Sequence, residues 1–330
     1  MSDAALPSAG ASSAGPAAGP PVRRAAPRGS LIGQVFEGLC FAAATTLLLS
    51  LGGIIVSLVI GGWPALSKFG LGFLFSTAWN PVTDVYGAAG PIVGTLITAA
   101  LALVISLPIA GGVAFFLTEL CPAPLRRPIG TAVELLAGIP SIVYGMWGLF
   151  IFAPVFAKWV EIPVMTAAPS GTFLADLVQG IPNGSGILAA SIILAVMILP
   201  FMAATLRELL MTVPAQVRES AYGLGATTRE VVISVTLPYV RRGAIGAVML
   251  GLGRALGETM AVTFIIGNSH GFPKGLFDAG STIASTIANE FNEASGLQAS
   301  ALIALGLVLF LITFTVLALA RLLLREQARL

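Results

Sequence analysis

The sequence predicts an all-α polytopic membrane protein with six transmembrane helices, and three observations carry that prediction. Only 10% of the 330 residues are charged and 56% are hydrophobic, with a mean hydropathy of +0.95, whereas soluble domains carry roughly 25% charged residues. The apolar residues fall in six blocks, approximately 39–61, 92–118, 129–154, 187–206, 243–266 and 299–320, each near the ~20 residues that cross a bilayer. The blocks lack the alternation of a membrane barrel, and only helices and closed barrels satisfy their own backbone in lipid.

The basic residues set the expected orientation. With both termini in the cytoplasm, thirteen arginines fall inside (positions 23, 24, 28, 126, 127, 207, 218, 229, 241, 242, 321, 325 and 329), and Lys68, Lys158 and Lys274 fall outside. That is the positive-inside pattern, and it leaves Arg254 alone within the fifth block. The net charge of +2 offers no electrostatic basis for a nucleic-acid partner. Residues 1–30, mostly Ala, Pro, Gly and Ser, are expected to form a disordered cytoplasmic tail, and 31–330 the six-helix transmembrane domain. The first apolar run starts near Leu39, is longer than a signal-peptide core and has no small-residue cleavage site after it, so it is expected to stay as an anchor.

Several chemistries find little support. Cys40 and Cys121 both map near the inner face, where a reducing cytosol keeps thiols free, and no disulfide is expected. His270 is the single histidine, so no histidine-based metal cluster or catalytic triad is expected and it reads as an ordinary outer-loop residue. None of the three lysines follows a glycine, which excludes a phosphate-binding loop for ATP. The run Gly251-Leu252-Gly253-Arg254-Ala255-Leu256-Gly257 has its third glycine one residue late for a dinucleotide fingerprint and no βαβ context. No cofactor and no metal site are therefore expected. The outer loops 62–91, 155–186 and 267–298 are long and suited to closing a pore or docking a partner. Pro108, Pro140 and Pro200 are expected to bend their spans, either around a pathway or for packing alone.

The segment 213–238 is the most informative. Pro214 suits a first helical position, Gly225 suits a helix end, and Thr227 with Glu230 forms a capping box for a second short helix. The expectation is a helix-turn-helix on the cytoplasmic surface. Glu219, Ala221, Gly225 and Leu237-Pro238 reproduce the spacing of the E-A-A, Gly, Ile-x-Leu-Pro signature, with Ser220 and Val235 as mild departures. The segment therefore resembles the coupling helix of permease subunits of binding-protein-dependent ABC importers. Residues Glu134 to Phe150, with the run Tyr144-Gly145-Met146-Trp147-Gly148, and Gly253 to Val262 resemble the phosphate importer permeases. The Trp63-Pro64 opening of the first outer loop is more similar to one of that pair of paralogues than to the other. The resemblance covers roughly 35–325.

That resemblance implies a type I ABC importer permease in the bacterial inner membrane, with both termini cytoplasmic. The implied partners are a paralogous permease subunit in a heterodimer, a dimeric ATPase, a periplasmic phosphate-binding protein, inorganic phosphate and membrane lipid. Glu219, Ala221 and Gly225 would couple to the ATPase, which supplies the hydrolysis, so the chain is not itself an enzyme. Arg254 and Glu258, four apart in the fifth block, are expected on one helix face, each costing about 2.5–3.5 kcal/mol at a bilayer centre. An arginine offers an oxyanion a planar fork that stays charged when buried, so these two are assigned to the substrate pathway, with a structural ion pair as the bland reading. Glu134 is open between protonated, snorkelling and paired states, with a structural role favoured. Glu37 and Glu119 are expected to be solvated at the membrane borders. Alternatives are an ion-coupled secondary anion transporter, a permease for another oxyanion, or a scaffold without transport. The helix-turn-helix signature and the absence of a detectable repeat between the two halves weigh against the ion-coupled transporter, and the intramembrane charges against the scaffold.

Overall fold

The computed structural model describes residues 31–169 and 171–326, so the expected tail, 1–30, lies outside the described residues. Six helices are long and apolar enough to cross a membrane: Gly33–Phe69, Ala89–Leu120, Ser141–Ala167, Ile187–Met211, Thr228–Leu256 and Gly296–Leu322. They are the first to sixth spans below. Strand structure among the described residues is one short antiparallel hairpin, Trp79–Asn80 against Val85–Tyr86. The chain divides into two units at Ile54–Ile55, within the first helix. In the first unit, residues 33–54 are helical and nearly all exposed, among them Phe36, Phe41, Leu47 and Leu49. A helix apolar all round belongs in surroundings that are themselves apolar.

The second unit is built around the fourth span. Ile193, Leu194, Met197, Ile198 and Met202 are buried there against a stripe of small residues on the second span, Ala99, Ala102, Ser106, Ala110 and Ala114. Their three- and four-residue spacing puts them on one helix face, and small residues let two backbones approach where lipid supplies no hydrophobic drive between helices. Hydroxyls within the spans return to their own helix: Thr98 donates to Gly94 O at 2.7 Å, Ser191 to Ile187 O at 2.6 Å and Thr205 to Phe201 O at 2.9 Å.

Three spans differ from the sequence expectation: the first runs on to Phe69, so Trp63-Pro64, expected to open the first outer loop, is helical, and the third and fifth shift further. The third was expected over 129–154, but it runs Ser141–Ala167, and Ala123–Ala137 forms a separate helix. Gly130 is buried and Arg126, Val133 and Ala137 half-buried on one side of that helix, while Leu125, Arg127 and Leu135 are exposed. A hydropathy window cannot see the interruption at Gly138-Ile139-Pro140. Pro140 therefore starts a helix instead of bending one, whereas Pro108 and Pro200 lie inside the second and fourth spans. The fifth span was expected over 243–266, yet its helix starts at Thr228 and ends at Leu256.

At the loop-rich end, the helix Ile283–Glu290 begins with a capping box between Thr282 and Ser285, and Ile283 N–H donates to Thr95 Oγ1 at 2.9 Å. The second span meets this loop through Gly90 and Gly94, where a Cβ would collide with the carbonyl oxygens of His270 and Ser281. Gly94→Ala should therefore cost about 1–3 kcal/mol of stability by forcing the backbones apart. Gly111→Ala, in the same helix with open space around its Cβ position, should be neutral or stabilising. Melting temperatures of the two variants in detergent check this, and equal values would contradict the close approach.

Candidate functional site

Two interruptions lie side by side in the second unit. The fifth span ends where Gly257 N–H donates to Gly253 O at 3.3 Å and Glu258 N–H to Ala255 O at 3.4 Å. A single turn, Met260–Thr263, follows, and Glu258 Oε1 accepts from Ala261 N–H at 3.2 Å. Glu258 thus caps this turn. Arg254 and Glu258 do not share a helix face, because the helix stops between them, and no ion pair joins them among the described residues. Glycine has poor helix propensity, and an acidic side chain satisfies the free amides of a new turn. Arg254 is exposed in the last turn of the fifth span, its guanidinium carbon 5.8 Å from the centroid of the Phe201 ring.

The second interruption is at Gly138-Ile139-Pro140. Gly138 N–H donates to Leu135 O at 3.1 Å and Val143 N–H to Pro140 O at 3.0 Å, and the Tyr144 hydroxyl donates across the break to Leu136 O at 3.1 Å. The glycines of the Tyr144 to Gly148 run explain the adjacency. A Cβ on Gly145 would crowd Ala261, Met260 and Phe264, and one on Gly148 would crowd Ile193 and Ile265. The two segments on which the sequence resemblance rests are thus packed directly on one another. Glu134 falls in the separate helix before the break and pairs with Arg207 at 2.8 Å, which closes the open reading in favour of a paired state.

At the arginine-rich end, helix Ala215–Gly223 follows Pro214. Gly225 takes φ +87°, with Ala226 N–H donating to Ala221 O at 3.1 Å. The expected capping box forms: Thr227 N–H donates to Glu230 Oε2 at 2.8 Å and Glu230 N–H to Thr227 Oγ1 at 3.4 Å. The helix it opens is the fifth span itself, through a π-helical turn at Val231–Thr236, and not a second short surface helix. Glu219 is exposed, Ala221 half-buried and Leu224 90% exposed. Glu119, expected to be solvated, instead pairs with Arg218 at 3.0 Å with only 10% of its side chain exposed. That pair ties the helix to the end of the second span.

Sequence reasoning missed a cluster at the loop-rich end. His270 Nε2 lies 2.8 Å from Glu290 Oε1, and its ring stacks on Trp79 at 5.0 Å and 2°. Trp79 Nε1 and Gln298 Nε2 both donate to Glu290 Oε2, at 2.9 and 3.0 Å. The partners are separated by up to 211 positions, so no spacing in the sequence announces them. Also unforeseen is Glu161, buried in the third span, whose Oε2 accepts from Gly184 N–H at 2.8 Å. Among the described residues, no group of three His, Cys, Asp or Glu side chains could hold a metal ion, and Cys40 and Cys121 are both free.

Residues 110–329 match the family described as binding-protein-dependent transport system inner membrane component. The chain belongs to that family. Its relatives include the "Phosphate transport system permease protein PstC" of Mesorhizobium japonicum, 53% identical over 92% of this chain and 93% of that one. The protein of the same name from Pasteurella multocida is 55% identical over 85% and 88%. Among solved structures, a bacterial alginate ABC transporter in complex with alginate pentasaccharide-bound periplasmic protein superposes with a TM-score of 0.57 at 15% identity, covering 87% of this chain and 92% of that one. That likeness shows the fold alone; the inner-membrane placement comes from the family. The family is a membrane component.

In this permease, burial holds the His270 imidazole below its ordinary value of 6.5, and the Glu290 carboxylate opposes burial without overturning it. Well above pH 6.5 the imidazole is neutral both folded and unfolded. As pH falls through the window just below, the unfolded chain takes up the proton first, so the stability the cluster contributes is lost on acidification. Wild type should therefore lose melting temperature relative to His270→Gln below about pH 6.5, and parallel curves would show that His270 does not titrate there.

Proposed function

We propose that this chain is a permease subunit of an ATP-driven ABC importer that carries inorganic phosphate into the cytoplasm. The observation that carries the reading is 49–55% identity over 85–92% of the chain with five proteins named as phosphate transport system permeases. In this reading the chain pairs with a PstA-like paralogous permease. A periplasmic PstS-like protein delivers phosphate to the long loops, and a PstB-like dimeric ATPase docks on the arginine-rich end. Both termini lie in the cytoplasm, as the thirteen-to-three basic asymmetry supports. Residues 31–330 form the permease domain, with the coupling segment at about 213–238.

Arg254 and Glu258 belong to the substrate pathway in separate roles. Arg254, which no ion pair engages among the described residues, presents a planar set of donors to an oxyanion, while Glu258 holds the turn after the break and so sets where the path continues. Discontinuous helices at membrane depth are tolerated where they line a cavity or are buried in protein. The deciding experiment is phosphate uptake by the Arg254→Leu, Glu258→Leu double variant, normalised to assembled complex. Assembled but inactive complexes are expected, and near-normal uptake would remove both residues from the pathway.

Glu219, Ala221 and Gly225 form the coupling surface. The exposed Glu219 and Leu224 suit a helix seated in a cleft of another subunit. An L-residue in the left-handed region costs roughly 1–2 kcal/mol, so Gly225→Val should distort the turn, with co-purification of the ATPase reduced or hydrolysis uncoupled from uptake. Wild-type coupling at normal expression would refute the assignment.

A further inference from the structure

We infer that Phe201 is the positioning residue for Arg254, holding the guanidinium from beneath by its aromatic face so that the N–H edges stay free for the anion. This rests on the pathway role of Arg254 proposed above. Three observations lead to it. Glu258, the carboxylate nearest in sequence, spends Oε1 on the Ala261 amide. Among the described residues, no acidic side chain forms an ion pair with Arg254. The group under the guanidinium is the Phe201 ring, 5.8 Å from its centroid to Cζ, within the roughly 6 Å over which a ring quadrupole attracts a cation.

The placement of Phe201 suits this work. It follows Pro200 inside the fourth span and is half-buried, packed against the main core cluster. Its carbonyl is engaged by the Thr205 hydroxyl at 2.9 Å. The ring therefore stands on the most buried of the six spans. The chemistry explains why an aromatic ring is used instead of a carboxylate. A carboxylate would occupy the same planar fork that an oxyanion needs, and would cancel the charge that attracts it. A π-face binds the cation without consuming a single N–H donor. The arginine is then held in place but left electrostatically unsatisfied, and the site can bind an anion and still release it. Held so, the guanidinium loses less freedom when the anion arrives.

The test replaces Phe201 in the complete transporter with mono-, di- and trifluorinated phenylalanine, which nearly preserves ring shape while progressively removing the negative face. The readout is KM and maximal rate for inorganic phosphate uptake, normalised to assembled complex. KM should rise stepwise, reaching about three- to tenfold at the trifluoro ring, with the amount of complex unchanged. Phe201→Tyr should stay within about twofold of wild type, and Phe201→Leu should match the trifluoro variant. A KM that is flat across the fluorinated series would overturn the proposal and leave Phe201 as packing alone, whatever Phe201→Leu does. The Arg254→Leu, Glu258→Leu variant separates the two failures. If it is inactive while the series is flat, only the role of Phe201 falls; if it transports normally, the pathway role of Arg254 falls and that of Phe201 with it.

Discussion

Backbone amides in a hydrocarbon layer have no water to turn to, and each one left unpaired costs several kcal/mol. A span can therefore be interrupted only where protein shields the interruption or a cavity wets it. This chain breaks at 138–140 and again at 257–259, and the two breaks are resolved together. The Tyr144 hydroxyl takes the Leu136 carbonyl, and the Glu258 carboxylate takes the Ala261 amide. Gly145 lets the two segments close on one another at the Ala261 backbone and the Phe264 ring. The location of Arg254 follows: it is the last cationic side chain before a helix end that the fold can tolerate only because a second break lies against it.

The same constraint accounts for the opposite treatment of the loop-rich end. There the chain leaves regular structure for long stretches, and the loops satisfy one another. Gly186 N–H donates to Ile265 O at 2.9 Å, Leu188 N–H to Leu276 O at 2.9 Å and Leu276 N–H to Leu177 O at 2.7 Å, so the second and third loops are tied through their backbones to each other and to the chain beside them. The Glu290 cluster then joins Trp79 of the hairpin to His270 and Gln298. The loops form an interlocked layer, and burial of the imidazole makes one of its fastenings sensitive to acid.

Much of the fold was legible in composition, because six apolar blocks in a chain with 10% charged residues leave few architectures. The first, second, fourth and sixth spans agree with their blocks to within a few residues at their apolar centres. The third and fifth shifted because hydropathy averages over a window and cannot register a Gly-x-Pro or a Gly-Glu-Thr that stops a helix inside apolar sequence. Both signals were present as cap chemistry: glycine at the end, then a proline or a carboxylate able to start the next turn. The Thr227–Glu230 capping box and the Gly225 turn were readable because their partners lie within a few positions. The Arg218–Glu119 pair, 99 positions apart, and the Phe201 ring under Arg254 were not, since tertiary proximity alone creates them.

The fifth span links the two ends mechanically. It is continuous helix from Thr228 to Leu256, so Arg254 stands about 39 Å along the axis from the capping box, at 1.5 Å per residue. Gly225 sets the angle between that helix and Ala215–Gly223, and the Arg218–Glu119 pair fixes the other end of the short helix to the second span. A displacement of the Ala215–Gly223 helix must pass through Gly225 and the capping box into a rod whose far end carries the guanidinium. On the way lies the π-helical turn at Val231–Thr236, where the hydrogen-bond ladder is irregular. The guanidinium is restrained at that far end by the Phe201 ring, which belongs to a different and more buried helix. Motion of the rod relative to the fourth span therefore changes the distance between cation and ring directly. On the proposed assignment, the residues given to the anion and to the ATPase stand toward opposite ends of one long helix, with the fourth span packed beside it.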